Sequence, residues 1–216
     1  MSKSPRKSSR ARRPRARRLD GVRELHHRVK NNLQVIASIL RLQMRREDSV
    51  SAQTALGGAI TRILGMVQVH DLLAQKDARR LDLRDLLERL LDLNVQAFMM
   101  PGQTIRPRIS GPSVVVAADK AASLALAANE LIVNALKHAF RGRREGTIEA
   151  RLEARGPEVT VSVVDDGVGL PPGFTLAGGA NLGLQLVRSV VQDDLRGTFE
   201  VAPARRGTCA TIRFRR

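Results

Sequence analysis

Residues 129–140 read NELIVNALKHAF. Set on a helix, Glu130, Asn134, Lys137 and His138 follow one another at steps of four, three and one and lie on one side, leaving Leu131, Ile132, Ala135, Leu136 and Phe140 for a core. A carboxylate, an amide oxygen and an ammonium on one helical face suit a hydrated Mg2+ and the phosphates it carries. A solvated helical face has the same composition, so the meaning of the stretch depends on its neighbours.

Downstream, the alternating run EVTVSVV leads into DDGVGLP, residues 165–171. A carboxylate at a strand end can accept a hydrogen bond from an exocyclic amine, and glycines let the backbone approach a flat base; a plain Gly-rich turn reads the same way. Next, GGANLGLQLV, residues 178–187, sets glycines before a helix start, where backbone N–H groups and the positive helix end can bind phosphate. Between and around these, LRDLLERLLDLNVQAF reads as a helix, and TIRPRI, SVVVA, GTIEARLEA, GTFEVAP and GTCATIRF read as strands. Asp119 is placed to cap the helix that runs to Phe140. Helices and an antiparallel or mixed sheet in this order predict a two-layer α+β domain from about residue 79 to the end.

Upstream the pattern is all helical. Val22, Leu25, Val29, Leu33, Ile36 and Leu40 form one stripe, and Leu56, Ile60, Ile63, Val67, His70 and Leu73 form another after the polar break REDSVS. Two amphipathic helices with a short turn make a hairpin over residues 19–78. A hairpin buries one seam per helix, so pairing with a second copy into a four-helix bundle is expected.

That first helix holds RELHHRVKNNLQ, residues 23–34, with adjacent histidines. At 100° per residue His26 falls about 50° from the buried direction and His27 about 150° from it. His27 thus has the exposure a reacting group needs. With a pKa near 6.5, roughly three quarters of exposed imidazole is neutral at pH 7 and carries a nitrogen lone pair. Glu24, one turn earlier, is placed to hold the other ring N–H and stabilise the cation formed on attack. On geometry alone, an unreactive surface histidine remains open. The adjacent pair cannot share a metal ion as positions i and i+4 can.

The 37 Lys and Arg against 21 Asp and Glu give +16, but nine of the basic residues lie before Leu19, where there are no acids, leaving about +7 for the rest. Residues 1–18 read as a disordered basic tail, with contact to nucleic acid or anionic lipid as the minor alternative. There is no Trp or Tyr and only five Phe, which argues against a base-stacking surface. A single Cys209 in an apolar run fits a reducing compartment, and neither a membrane span nor a signal peptide is evident, so a cytoplasmic location is expected.

The three stretches, in this order and spacing, resemble the N box and two glycine boxes of a bacterial two-component histidine kinase. The hairpin sequence ELHHRVKNNLQVIASILRLQ is similar to the phosphoacceptor region of the subgroup related to the HWE kinases. The resemblance covers about residues 20–216. It implies a phosphoacceptor and dimerisation hairpin followed by an ATP-binding two-layer α/β sandwich of the GHKL type. It also implies a dimeric, ATP- and Mg2+-dependent enzyme that autophosphorylates and passes the phosphoryl group to an aspartate on a response regulator receiver domain.

In that family the phosphorylated histidine immediately precedes RVKN, which is His27 here. By the same resemblance Asn134 would ligand Mg2+, Glu130 would hold a water or orient the metal, and Lys137 and His138 would face phosphates. Asp165 would bind the adenine amine over Gly167 and Gly169. Gly183 and Leu184 would lie at the end of a mobile lid, and Thr208 would close the adenine pocket. Members usually carry an N-terminal sensory domain, and here 18 basic residues precede the helix, so a separate sensory protein is a possible partner. The alternatives are a nucleotide-dependent partner-switch binding module and a protein-serine kinase of the same ATPase fold.

Overall fold

The computed structural model describes residues 13–74, 80–99, 102–176 and 182–216, with side chains from residue 30 onward except 54, 61, 62, 66 and 68–74. Two antiparallel helices come first, α1 (Arg13–Arg46) and α2 (Val50–Ala74). Ser49 ends the turn between them: its Oγ accepts from Ala52 N–H at 3.3 Å, and Gln53 reaches back to the Glu47 carbonyl at 2.7 Å. α1 begins inside the stretch expected to be unstructured tail. Arginine is a good helix former, and Pro14 falls in the first turn, where no intrahelical N–H bond is lost.

The hairpin buries Ala37, Ile60 and Val67. Ile36, expected in the buried stripe, is 45% exposed, and Val35, Ile39 and Leu42 are exposed with it. Two helices cover one seam on each other, so the remaining apolar face of α1 is left uncovered by the described residues.

The second half contains β1 (Arg80–Asp82), α3 (Leu83–Phe98), β2 (Thr104–Ser110), β3 (Val115–Ala117), α4 (Ala118–His138), β4 (Glu145–Arg155), β5 (Glu158–Asp165), α5 (Leu182–Asp193), β6 (Thr198–Pro203) and β7 (Thr208–Arg215). Five strands form one mixed sheet in the order β2-β4-β5-β7-β6. The β2–β4 pair is parallel and the other pairs are antiparallel. A parallel pair needs a crossover, and the segment containing α4 supplies it. Along β5 burial alternates, with Val159, Val161, Val163 and Asp165 all turned inward. The helices α3, α4 and α5 cover that face, and fully buried Leu87, Leu90, Leu124, Ile132, Ile148 and Ile212 lie in the core between the layers. Each such side chain contributes about 1.5–3 kcal/mol by leaving water. The expected α+β sandwich is the observed architecture.

Three local features differ from the expectation. Only the end of SVVVA forms a strand, and β3 pairs with the short β1 rather than joining the main sheet. The pairing ends at Asp82, whose side chain caps α3 by accepting from Arg84 N–H at 2.8 Å. Ala117, not Asp119, occupies the N-cap of α4; Asp119 sits in the first turn and accepts from Lys120 N–H at 2.8 Å. The helix also stops at His138, short of Phe140. Near the other end of this layer Ser123 Oγ donates to Asp194 Oδ2 at 3.0 Å, tying α4 to the segment after α5.

Candidate functional site

The alternation of β5 determines where its last residue points. Asp165 follows three inward valines, so its carboxylate is carried to the inner face with only 5% exposure. Its Oδ1 accepts from Gly167 N–H at 2.9 Å and Thr208 N–H at 3.2 Å. Burial pushes the carboxyl above the ordinary range; the two backbone N–H donors and the Thr208 hydroxyl oppose that shift, while Asp166 adds to it. Gly207 has a φ of +73°, and a β-carbon there would run into the Asp165 carboxylate and carbonyl. A glycine is therefore required for the β6–β7 turn to close on the acid.

Asp166 points elsewhere. Its Oδ1 accepts from Thr147 N–H at 2.8 Å, and its carbonyl accepts from the Arg143 guanidinium. The following loop is pinned to the end of α4 by Val168 N–H donating to the Ala139 carbonyl at 2.9 Å. Gly167 allows this approach, because a β-carbon there would overlap the Ala139 backbone and side chain. Gly169, with a φ of +79°, turns the chain back along the cavity.

That cavity, of about 270 Å3, lies between α4, the end of β5 and the start of α5. Its walls include Asn134, His138, Asp165, Gly169, Leu184 and Thr208 together with Leu131, Ala135, Val163, Leu170, Pro171, Phe174, Val201 and Ala210. An apolar slot with one buried carboxylate matches a flat heteroaromatic ring bearing an amine, while Asn134 and His138 can meet a polar extension. Burial, followed by the nearby Arg141 and Lys137 charges, lowers the pKa of His138, leaving the imidazole neutral at pH 7.

The structure thus brings together six of the residues singled out from sequence. Glu130, one turn before Asn134, is buried behind the cavity and is not part of its wall. Lys137 faces a separate concavity of about 730 Å3 with Phe98, Gln103, Arg141, Arg143 and Arg144, its Nζ lying 5.6 Å from the Phe98 ring centre. Gly167 packs on Ala139 rather than lining the slot, and Gly183 is buried within α5. Glu24, His26 and His27 fall in α1, but their side chains lie outside the described residues, whereas Asn31, one turn beyond His27, is exposed. The apolar wall residues missed from sequence are ordinary core positions of β5, β6, β7 and α4, and only the closed fold shows that they surround a space. Phe174 and Pro171 could have been suspected from their place in the Gly- and Pro-rich loop.

Among the described residues no group of three or more His, Cys, Asp or Glu converges to hold a metal, and no helix is long and apolar enough to cross a membrane. The donor set nevertheless fits Mg2+, which commonly takes one or two protein ligands and completes its shell with water and phosphate oxygens.

Comparison with known proteins agrees with this geometry. Residues 24–98 match the family described as "Histidine kinase", and residues 119–216 match the "Histidine kinase-, DNA gyrase B-, and HSP90-like ATPase" family. The chain is 37% identical over 194 residues to the sensor histidine kinase PdtaS of Mycobacterium tuberculosis, covering 89% of this chain and 38% of that protein. It is 30% identical over 193 residues to blue-light-activated histidine kinase 2 of Erythrobacter litoralis, covering 88% of this chain and 55% of that one. The chain therefore spans about two fifths to just over half the length of these relatives. Among solved structures, the histidine kinase domain of the Erythrobacter litoralis EL346 blue-light-activated kinase superposes with a TM-score of 0.61 at 28% identity, covering 93% of this chain and 94% of that one. With a histidine kinase match over residues 24–98 followed, from residue 119 on, by an ATPase-family match that contains the slot around Asp165, the chain belongs to the histidine kinase family.

Proposed function

We propose that this chain is an ATP-dependent protein histidine kinase that phosphorylates its own His27 and then passes the phosphoryl group to an aspartate on a response regulator receiver domain. The observation that carries the reading is the buried Asp165 carboxylate at the floor of an apolar slot beside Asn134 and His138, in a chain whose upstream helix matches a histidine kinase family.

Asp165 accepts the exocyclic amine of adenine while Leu131, Val163 and Leu170 flank the ring. Asn134 would offer its amide oxygen to Mg2+, with Glu130 behind it, and His138 would meet phosphate oxygens, as would Lys137 on turning from its place over Phe98. Mg2+ supplies neutralisation of the phosphate charge. Gly183 and Leu184 lie in the first turn of α5, whose positive end would favour the phosphates; the segment before them, read from sequence as a lid, lies outside the described residues. A neutral ring nitrogen of His27 attacks the γ-phosphorus; the N–P bond forms as the bond from that phosphorus to the β,γ-bridging oxygen breaks, and ADP leaves with the electron pair. Glu24 holds the opposite ring N–H as the imidazole becomes cationic. In the second step the carboxylate of the receiver takes the phosphoryl group, and His27 is restored.

Residues 19–78 serve as the dimerisation and phosphotransfer hairpin and residues 79–216 as the ATPase domain, in the cytoplasm. Val35, Ile39 and Leu42, exposed at helical spacing on α1, support pairing with a second copy. The test of the reading is transfer of label from γ-labelled ATP to the chain and onward to a receiver domain. Acid-labile, base-stable label that appears on the chain and moves to the receiver is the expected result. Tight ATP binding without label would overturn it.

A further inference from the structure

The concavity beside the end of α4 is built from charge. Among the described residues its walls bring together Lys137, Arg141, Arg143 and Arg144 and no carboxylate, around about 730 Å3. Three of these cations are held by contacts of their own. Arg141 Nε donates to the Lys137 carbonyl at 3.2 Å, the Arg143 guanidinium donates to the Asp166 carbonyl, and Lys137 Nζ rests 5.6 Å from the Phe98 ring centre. The backbone that carries them is fastened as well: Gln103 Nε2 donates to the Phe140 carbonyl at 3.3 Å and to the Arg143 carbonyl at 3.1 Å. Glu145, next in the chain, pairs with Arg106 at 3.5 Å, and the Asp166 side chain accepts from Thr147 N–H at 2.8 Å.

A single basic side chain can satisfy the last carbonyls of α4, and Arg141 does so. Holding three more beside it costs mutual repulsion, and the field reaches His138, whose pKa is lowered by burial and then by the Arg141 and Lys137 charges. A multivalent anion among the cations turns that repulsion into attraction. Because Lys137 covers the Phe98 ring and Phe140 is buried, the concavity offers charge rather than an aromatic face, which suits a compact oxyanion better than a base or an apolar side chain.

We propose that Lys137, Arg141, Arg143 and Arg144 form a second anion site, outside the nucleotide slot, for a free phosphate-class oxyanion such as pyrophosphate. Each guanidinium fork can hold two oxygens, and the ammonium adds a point charge. Lys137 is the residue that the two sites share. An oxyanion in the concavity keeps it there and places negative charge beside the phosphate end of the slot, so the anion and ATP oppose each other's binding. That coupling rests on the kinase reading; the anion site itself does not.

Calorimetry of the full chain with pyrophosphate tests the site. Pyrophosphate should bind, and should still bind when ADP fills the slot. Arg144→Gln should weaken it about tenfold with ADP affinity unchanged, and Arg144→Lys should recover part of the loss. The melting temperature should hold, because Arg144 meets the rest of the fold through its carbonyl, which accepts from Thr104 N–H at 2.7 Å. Affinity for pyrophosphate that is unchanged in Arg144→Gln would assign the anion to the basic residues 1–18 and overturn the proposal. So would the absence of binding, or binding that vanishes once ADP is present. In labelling with γ-labelled ATP, pyrophosphate should raise the KM for ATP about fivefold in the wild type and much less in Arg144→Gln. An equal rise in both would place the competition inside the slot and overturn the coupling. The expected binding pattern in a chain that never acquires label would instead refute the kinase reading and leave the anion site standing.

Discussion

Asp165 and Thr208 are forty-three residues apart in sequence, yet Thr208 N–H donates to Asp165 Oδ1 at 3.2 Å, closing the turn between β6 and β7 onto the end of β5. This contact, with the one from Gly167, orients a buried carboxylate toward the slot. Asp165→Asn can retain both backbone bonds through its amide oxygen but replaces a charged acceptor with a neutral group. Calorimetry with ADP should show affinity reduced about tenfold to a hundredfold, the loss of a charge-assisted hydrogen bond of roughly 1.5–3 kcal/mol, with little change in melting temperature.

The two shifted groups of the slot give opposite signs with pH. Burial raises the Asp165 carboxyl, so in the empty chain its ionised form opposes folding above that raised pKa, and the penalty fades as the pH falls through it. Burial and the Arg141 and Lys137 charges lower His138, so the neutral ring is compatible with the fold at pH 7, and stability is lost as the pH falls below the imidazole's ordinary value. Imidazole resonances followed by NMR should show His138 titrating below an ordinary histidine, and ADP should move it upward as phosphate favours the cation. ADP affinity should fall on acidification earlier than it would for an ordinary carboxylate, as Asp165 gains its proton.

Asp82 links β1 to α3. Burial would raise its carboxyl, but hydrogen bonds from Ser113 Oγ and from the N–H groups of Arg84, Asp85 and Val114 outweigh it and hold the pKa down. The stability it contributes is present above the unfolded carboxylate pKa and is lost as the pH falls through the folded value. Asp82→Ala should cost about 1 kcal/mol in urea unfolding at pH 7, and the cost should shrink in acid.

The exposed face of α1 predicts its own disruption. If this stripe pairs with a second copy as proposed, light scattering should give a dimer for the wild type and a monomer for Ile39→Glu, which places a charge among Val35, Ile39 and Leu42, with ADP affinity unchanged. A variant with the wild-type mass would remove this face from the dimer interface.

The parts of the site that were legible in the sequence are those set by local periodicity. The phase of β5 fixes the direction of Asp165, and the helical step fixes Asn134 and His138 on one wall. Lys137 was placed with them because helical phase constrains a direction to within about 100°, while a long flexible side chain next to Phe98 can turn to the neighbouring concavity. Gly167 read as a support for a base, but its role in the structure is to let Val168 reach the Ala139 carbonyl, a contact between distant segments. The β1–β3 pairing is three residues long, too short for any alternation to announce. The Asn94–Asn129 pair was invisible because both residues read as polar helix positions until α3 and α4 are packed together.

The central claim is that the slot around Asp165 phosphorylates the hairpin at His27. Incubation of the chain with γ-phosphate-labelled ATP and Mg2+ tests it most directly when His27→Gln and Asp165→Asn are run beside the wild type. Acid-labile, base-stable label on the wild type, absent from His27→Gln and strongly reduced in Asp165→Asn, is the predicted result. Label that persists in His27→Gln, or a wild-type chain that binds ATP and acquires none, would contradict the account.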